Sequence, residues 1–455
     1  MTVTKTIAII GAGPVGLAAA ARALERGLEP LVLEAGPEVG QAIRQWGHVR
    51  MFSAWEHNID QAAGRLLERS GWLRPDPTAY PTGAELVAHY LEPLATRTPL
   101  AAHIRTGARV AAVTRAGFDK VKTAGRDRAR FELHLSDGSE HKADAVIDAS
   151  GTWLTPNPAG ASGVAAVGEA ENAARIAYGM PDVLGRDRPR YAGRTVAVLG
   201  AGHSAIGTLI DLVRLGEAAP GTRALWLLRG DSPDKAFGGG AGDQLPERGA
   251  LGTLVAALVR SGRITLRTGF RASRIARAGE GLAIFAGKGC REQAVEADEL
   301  VVAAGFRPDL SFLCELRTSL DATLECPPAL APLIDPNLHS CGTVRPHGAR
   351  ELAQPEPGFY IAGMKSYGRA PTFLMMTGYE QVRSIIADID GDHAAARRVE
   401  LVLPETGVCG GAGSTSGEAS SCCGGPPVAA ESACCRADEI AKTAGKAGCG
   451  CGSAK

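Results

Sequence analysis

Three features are scarce or missing in this chain of 455 residues. Charge of one sign is not in excess: 49 Lys and Arg balance 49 Asp and Glu, and the basic residues are scattered rather than gathered into a run with aromatics between them. That excludes the electrostatic footprint of a nucleic-acid-binding protein. There is no long apolar run either. The strongest candidate, from Ile7 onward, is interrupted by Gly11, Gly13, Gly16 and Arg22, which makes it a poor membrane span. Finally, although there are 11 cysteines, none are spaced Cys-x-x-Cys, so neither a zinc ribbon nor a dithiol redox motif of that kind can be built. The first strand pattern begins at residue 5, which leaves no room for a signal segment ahead of it, and a cytoplasmic location is expected. A hydrophobic content of 45% over this length is enough for two or three packed domains.

Glycine is where the information lies. "IAIIGAGPVGLAAAARALERG" at 7–27 followed by "PLVLEAG" at 30–36 reads as a short β-branched strand, a glycine turn, an alanine-rich helix and a second strand ending in an acid. Gly11 permits the tight turn, Gly13 lets the backbone approach a pyrophosphate, and Gly16 lets helix and strand pack closely, with Pro14 opening the helix. Helix N-terminal amides then face the phosphate. Glu34, 18 residues past Gly16, stands where a carboxylate accepts ribose hydroxyls.

The unit recurs at 194–229, "RTVAVLGAGHSAIGTLIDLVRLGEAAPGTRALWLLRG". Gly200 and Gly202 repeat the turn, His203 and Ser204 open the helix, and Ala205 fills the third small position. The second strand ends in Arg229 instead of an acid, which suits the additional phosphate of NADP. Two dinucleotides are implied. Between the units, "FELHLSDGSEHKADAVIDASG" at 131–151 reads as a hairpin and a further strand, and "DELVVAAGFRPD" at 298–309 repeats the theme of an apolar strand ending at a glycine. The closing segment at 358–391 predicts a strand, a loop, a helix beginning just after Pro371 and a stop at Gly391.

With "DASGTWLTPNP" and "AAGFRPD" following the two motifs, the chain resembles the flavoproteins with two dinucleotide-binding domains, over about residues 5–391. More narrowly, "QWGHVRMFSAWEHNID", "GAGHSA" and "GMKSYGRAPTFLMMTGYEQVR" resemble the ArsO- and ArsV-type flavin monooxygenases of arsenic resistance. The resemblance implies an α/β fold: two Rossmann-like domains, for FAD and NADPH, with a β-meander insertion and a disordered Cys-rich C-terminal tail. It implies an FAD-binding domain in two parts, 1–165 and 306–400, an NADPH-binding domain at 190–305 and a tail from 401. Gly11, Gly13, Pro14, Gly16 and Glu34 would hold FAD; Gly200, Gly202, His203, Ser204, Ala205 and Arg229 would hold NADPH. Met364 stands where related flavoproteins often carry an aspartate. The amides near Thr372 and Phe373 would point at the flavin. Trp46, Phe52, Ser53 and Trp55 are expected to wall the pocket. The chain lacks the F-x-G-x-x-x-H pattern of the amine- and ketone-oxidising branches, reading "YGMPDVLGRDRPRYAG" at that place.

Seven cysteines lie after residue 408: Cys409, Cys422, Cys423, Cys434, Cys435, Cys449 and Cys451. Their Gly/Ala/Ser-rich surroundings cannot build a core, and paired thiols on a tether suit capture of a soft metal or metalloid. Cys290 and Cys314 read as quiet thiols, whereas Cys326 and Cys341 flank a proline-rich loop, with His339, Arg345 and His347 nearby, and are candidate soft-metal ligands. The expected function is an FAD- and NADPH-dependent monooxygenase acting on trivalent arsenicals or antimonite, with dioxygen as co-substrate and homodimer formation left open. The alternatives are an NADPH-dependent flavin reductase of thiol-bound metal or disulfide, and a metal-binding chaperone on a flavoprotein scaffold.

Overall fold

The computed structural model describes residues 4–238, 246–287, 292–336, 344–371 and 373–401, all within one compact unit, Met1–Gly411. Cys290, His339, Cys341, Thr372 and the seven cysteines beyond 408 lie outside the described residues.

The first glycine motif folds as its pattern dictates. The strand Thr6–Ile10 is buried from Ile7 on, the helix Pro14–Glu25 carries Pro14 at its start, and the strand Glu29–Leu33 returns parallel to the first. Five parallel strands make the sheet, in the order Phe359–Ile361, Ala145–Asp148, Thr6–Ile10, Glu29–Leu33, Ile104–Arg105. A three-stranded antiparallel meander, Val110–Arg115, Phe131–Leu135 and Glu140–Ala143, accompanies it. Its turn is the "SDGS" stretch: Gly138 has φ +86°, and Asp137 Oδ1 accepts from the Ser139 amide at 2.9 Å.

The second domain repeats the plan. Ile264–Arg267, Arg223–Leu227, Thr195–Leu199, Glu299–Val302 and Ile176–Tyr178 form a parallel sheet. Ala272–Ala278, Gly281–Ala286 and Gln293–Ala297 form a second meander, where the sequence had suggested one. The strand Ile176–Tyr178 falls between the expected domain limits of 165 and 190, yet its pairing with Glu299–Val302 makes it part of the second sheet.

Apolar side chains fill both faces of the sheets. Ile7, Ile9, Leu17 and the Ala18–Ala21 run pack with Val382, Ile385 and Ile386 of the closing helix, Met375–Asp390. In the second domain Val196, Val198, Leu209, Leu212 and Trp226 play the same part. The meander of the first domain is bolted to the sheet by charge. Glu356, 1% exposed, receives Arg115 Nε at 2.8 Å and a second guanidinium from Arg126, while the Arg317 amide donates to it at 3.0 Å. No helix among the described residues is long and apolar enough to cross a membrane.

Candidate functional site: two glycine cradles joined by a paired hinge

At each motif the three small positions divide into two crowded ones and one open one. A Cβ on Gly11, which has φ +100°, would sit 2.9 Å from the Ala149 oxygen, and one on Gly16 would sit 2.0 Å from the Gly11 oxygen. A Cβ on Gly13 would meet nothing within 4 Å. The second motif matches: Gly200, φ +144°, lies against the Ala303 oxygen at 2.2 Å from such a Cβ, Gly202 is open, and Ala205 is fully buried. Gly11 and Gly16 are therefore required by the fold. Gly13 and Gly202 keep empty a space that each stands over at its helix start, Pro14–Glu25 and His203–Ala218. An anionic pyrophosphate fits both cradles, since the positive end of each helix favours it there.

Glu34 holds the first cradle in shape. Its Oε2 accepts the Ala12 amide at 2.7 Å and its Oε1 the Gly36 amide at 2.8 Å. A carboxylate has about four acceptor positions, so lone pairs remain for ribose hydroxyls. Arg229 stands just past the strand Arg223–Leu227, exposed, with a long 3.4 Å contact from Nη1 to the Ala161 oxygen.

The two cradles are linked through their crossovers. The chain leaves the first sheet at Ala149, beside Gly11, and returns from the second at Ala303, beside Gly200. These two segments pair antiparallel: the Asn157 amide donates to the Gly305 oxygen at 2.9 Å and the Arg307 amide to the Thr155 oxygen at 3.0 Å. Arg307 Nε adds a bond to Asn157 Oδ1 at 2.8 Å, and the Trp153 and Phe306 rings stack at 4.6 Å. The domains also touch through the segment after the first βαβ unit, where the Phe52 ring lies 5.4 Å from that of His203. Nearby, the Asp211 carboxyl is held above the usual range by burial, a shift that Arg214 and His48 only partly offset.

Several expected residues are placed differently. Trp46, Phe52, Ser53 and Trp55 do not form one wall. Trp46 packs on Gly83, Ser53 donates to Asn58 Oδ1 at 2.8 Å, and Trp55 is buried at the edge of a separate cleft of ≈ 520 Å³ lined also by Trp72, Tyr80 and His89. The closing helix begins at Met375 and not directly after Pro371, because Leu374 is extended and Phe373 turns inward, edge-on to Tyr367 at 5.2 Å. Gly391 ends it in the left-handed conformation, as expected. Met364 is half-buried in the turn Gly363–Tyr367. Cys326 is wholly buried among apolar residues, its thiol pushed up to about 12 chiefly by that burial, so it is a core residue and not an open ligand. His347 is likewise buried, and burial lowers its pKa below the usual value. Its Nδ1 faces the Arg345 oxygen at 3.0 Å and its Nε2 faces Gln381 Nε2 at 2.8 Å.

Two polar groups invisible as partners in the sequence meet beside the first cradle. Lys365 Nζ is 2.6 Å from Asp148 Oδ2, and the two side chains are 1% and 0% exposed. Lys365 also donates to Ser150 Oγ at 3.0 Å. The only sequence signal was a lysine set in the otherwise apolar run "FYIAGMKSY".

A family model described as pyridine nucleotide-disulphide oxidoreductase matches residues 8–327. The chain belongs to that family. It is therefore an oxidoreductase of the FAD- and NADPH-dependent kind, in keeping with the two cradles. No curated protein matches. Among solved structures, bacillithiol disulfide reductase from Bacillus cereus is 22% identical with a TM-score of 0.62, covering 86% of this chain and 100% of that one. The cadaverine monooxygenase of desferrioxamine biosynthesis from Erwinia amylovora, solved with FAD, is 13% identical with a TM-score of 0.60, covering 89% and 99%. A flavin-containing monooxygenase from Stenotrophomonas maltophilia is 19% identical with a TM-score of 0.50, covering 86% and 99%. These likenesses concern the fold, which reductases and monooxygenases of the family share.

Proposed function

We propose that this family member is a monooxygenase of trivalent arsenicals or antimonite, with FAD in the first cradle, NADPH in the second, and the cysteines of the C-terminal segment gathering the metalloid. The observation that carries this reading is the paired hinge. It joins two dinucleotide cradles in one chain, while the only two cysteines among the described residues, exposed Cys314 and buried Cys326, are free and offer no dithiol for disulfide exchange. On this reading dioxygen is the acceptor of the electrons that NADPH supplies through the flavin.

The stoichiometry closes. Two electrons from NADPH and two from the trivalent centre reduce one dioxygen to one water and one oxygen atom bound to the now pentavalent centre. Such a lone-pair centre needs no protein acid or base to receive oxygen. The chain's own task is to hold both nucleotides and exclude water. Gly13 and Gly202 leave room for the two pyrophosphates, Glu34 reads the first ribose, and Arg229 supplies charge for the additional phosphate of NADP.

A second reading, an NADPH-dependent reductase of a disulfide or a thiol-bound metal, is favoured by the likeness to bacillithiol disulfide reductase. Anaerobic stopped-flow separates the two. On the monooxygenase reading, NADPH bleaches the flavin without oxygen, and arsenite does not reoxidise it until oxygen is admitted. Anaerobic reoxidation by a disulfide or a mercuric thiolate at turnover rates would establish the reductase instead.

A further inference from the structure

Asp148, Ser150 and Lys365 form a buried polar cluster at the carboxyl edge of the first sheet, the edge at which open α/β sheets take ligands. Asp148 Oδ1 accepts from the Ser150 amide at 3.1 Å and from its hydroxyl at 2.6 Å. Asp148 Oδ2 pairs by charge with Lys365 Nζ at 2.6 Å, in a geometry that makes no hydrogen bond, and the same ammonium donates to Ser150 Oγ at 3.0 Å. Its remaining direction is covered by the face of Phe312, 4.4 Å away. The ammonium is thus enclosed by an anion, a hydroxyl and an aromatic face, all inside the protein. With its side chain 1% exposed, Lys365 is not open to a phosphate itself.

What it holds is the wall of the cradle. The Ser150 Cα lies 2.9 Å from the place a Cβ would take on Gly11, at the same distance as the Ala149 oxygen. The Ala149–Gly151 turn, with Gly151 at φ +71°, thus abuts the first glycine of the loop. Moving Ser150 moves that surface. Phe312 follows the returning crossover and Ser150 opens the outgoing one, so one buried cation also ties both arms of the hinge to the turn Gly363–Tyr367.

We propose that Lys365 is a positioning residue for FAD, acting through Ser150 and Asp148 to keep the Ala149–Gly151 turn against the glycine loop. This rests on the reading that the first cradle takes FAD. The test is titration of the apo-protein with FAD, followed by flavin fluorescence and visible absorbance, alongside thermal unfolding of the same apo-protein. Ser150→Ala, which removes only hydroxyl bonds, should weaken FAD binding roughly three- to tenfold while apo-protein unfolding changes little. Lys365→Met should weaken it by about tenfold or more and shift the visible flavin band, and Lys365→Arg should recover part of both. In Asp148→Asn/Lys365→Met, which leaves no uncompensated buried charge, thermal stability should return but FAD affinity should not. Unchanged FAD affinity and spectrum in Ser150→Ala and in folded Lys365→Met would overturn the assignment. So would a double variant that regains affinity together with stability. A parent chain that binds no FAD would instead bring down the functional reading, and this assignment with it.

Discussion

At the scale of single residues, the two glycine loops show how a steric rule separates fold from ligand. Gly13 and Gly16 are both glycines of one motif, but a side chain on Gly16 would strike the Gly11 oxygen, whereas one on Gly13 meets only the space kept for a pyrophosphate. Gly16→Val should therefore fail to give soluble, cooperatively unfolding protein. Gly13→Val should fold with the parent's thermal midpoint and purify without yellow colour; a full flavin complement in that variant would remove FAD from the first cradle. Arg229 makes a complementary case, because its one side-chain hydrogen bond among the described residues is long and exposed, so its loss costs the fold little. Arg229→Ala should raise the KM for NADPH about tenfold or more, the loss of roughly 1.5–3 kcal/mol expected of a charge-assisted phosphate contact. The KM for NADH should barely move. Equal effects on both nucleotides would show that Arg229 does not read the phosphate. These residues were legible in the sequence because glycine sterics and strand-end charges act over a few positions. Lys365 was not, because its partner Ser150 lies 215 residues away and only the folded sheet brings them together.

At the scale of elements, strands and helices were readable wherever local pattern and tertiary packing agree. The start of the closing helix was not, since the packing of Phe373 against Tyr367 delays the first helical turn to Met375 despite the proline upstream. The Ile176–Tyr178 strand is illegible for a similar reason: three residues carry too little periodicity, and its identity comes from pairing with Glu299–Val302. The attachment of the meander to the first sheet rests on Glu356. Burial pushes its carboxyl up, but bonds from Arg126, the Arg317 amide and Arg115 outweigh that and hold it below the ordinary 4.5. A folded-state value below the unfolded one gives stability that is complete above the unfolded value and is lost as pH falls through the folded one. Glu356→Gln leaves two guanidiniums buried without their anion, a loss of roughly 3–5 kcal/mol near neutral pH. The gap in thermal midpoint between parent and variant should be widest near pH 7 and should narrow in acid. A gap independent of pH would show that the ion cluster is not what fastens the meander.

At the scale of the whole molecule, the domains are two copies of one plan, a parallel five-stranded sheet with an antiparallel meander, joined by crossovers that pair with each other. That duplication was visible in the repeated glycine motif; the cross-pairing of Asn157 with Gly305 was not, because neither segment has a strand pattern of its own. The Cys-rich segment adds a delivery function in the proposed scheme. Truncation after Leu403 should leave FAD content unchanged and raise the KM for arsenite with little effect on kcat, since a tethered ligand acts at about millimolar effective concentration. A kcat that falls in step with kcat/KM would make those thiols participants in the chemistry. The claim on which the functional account depends is that oxygen ends on the metalloid. The most direct measurement is the stoichiometry of NADPH consumed, dioxygen consumed and pentavalent arsenic formed by the FAD-loaded protein. The account predicts equal amounts of all three. NADPH oxidation with no pentavalent product, its electrons recovered as hydrogen peroxide or as reduced disulfide or metal, would contradict it.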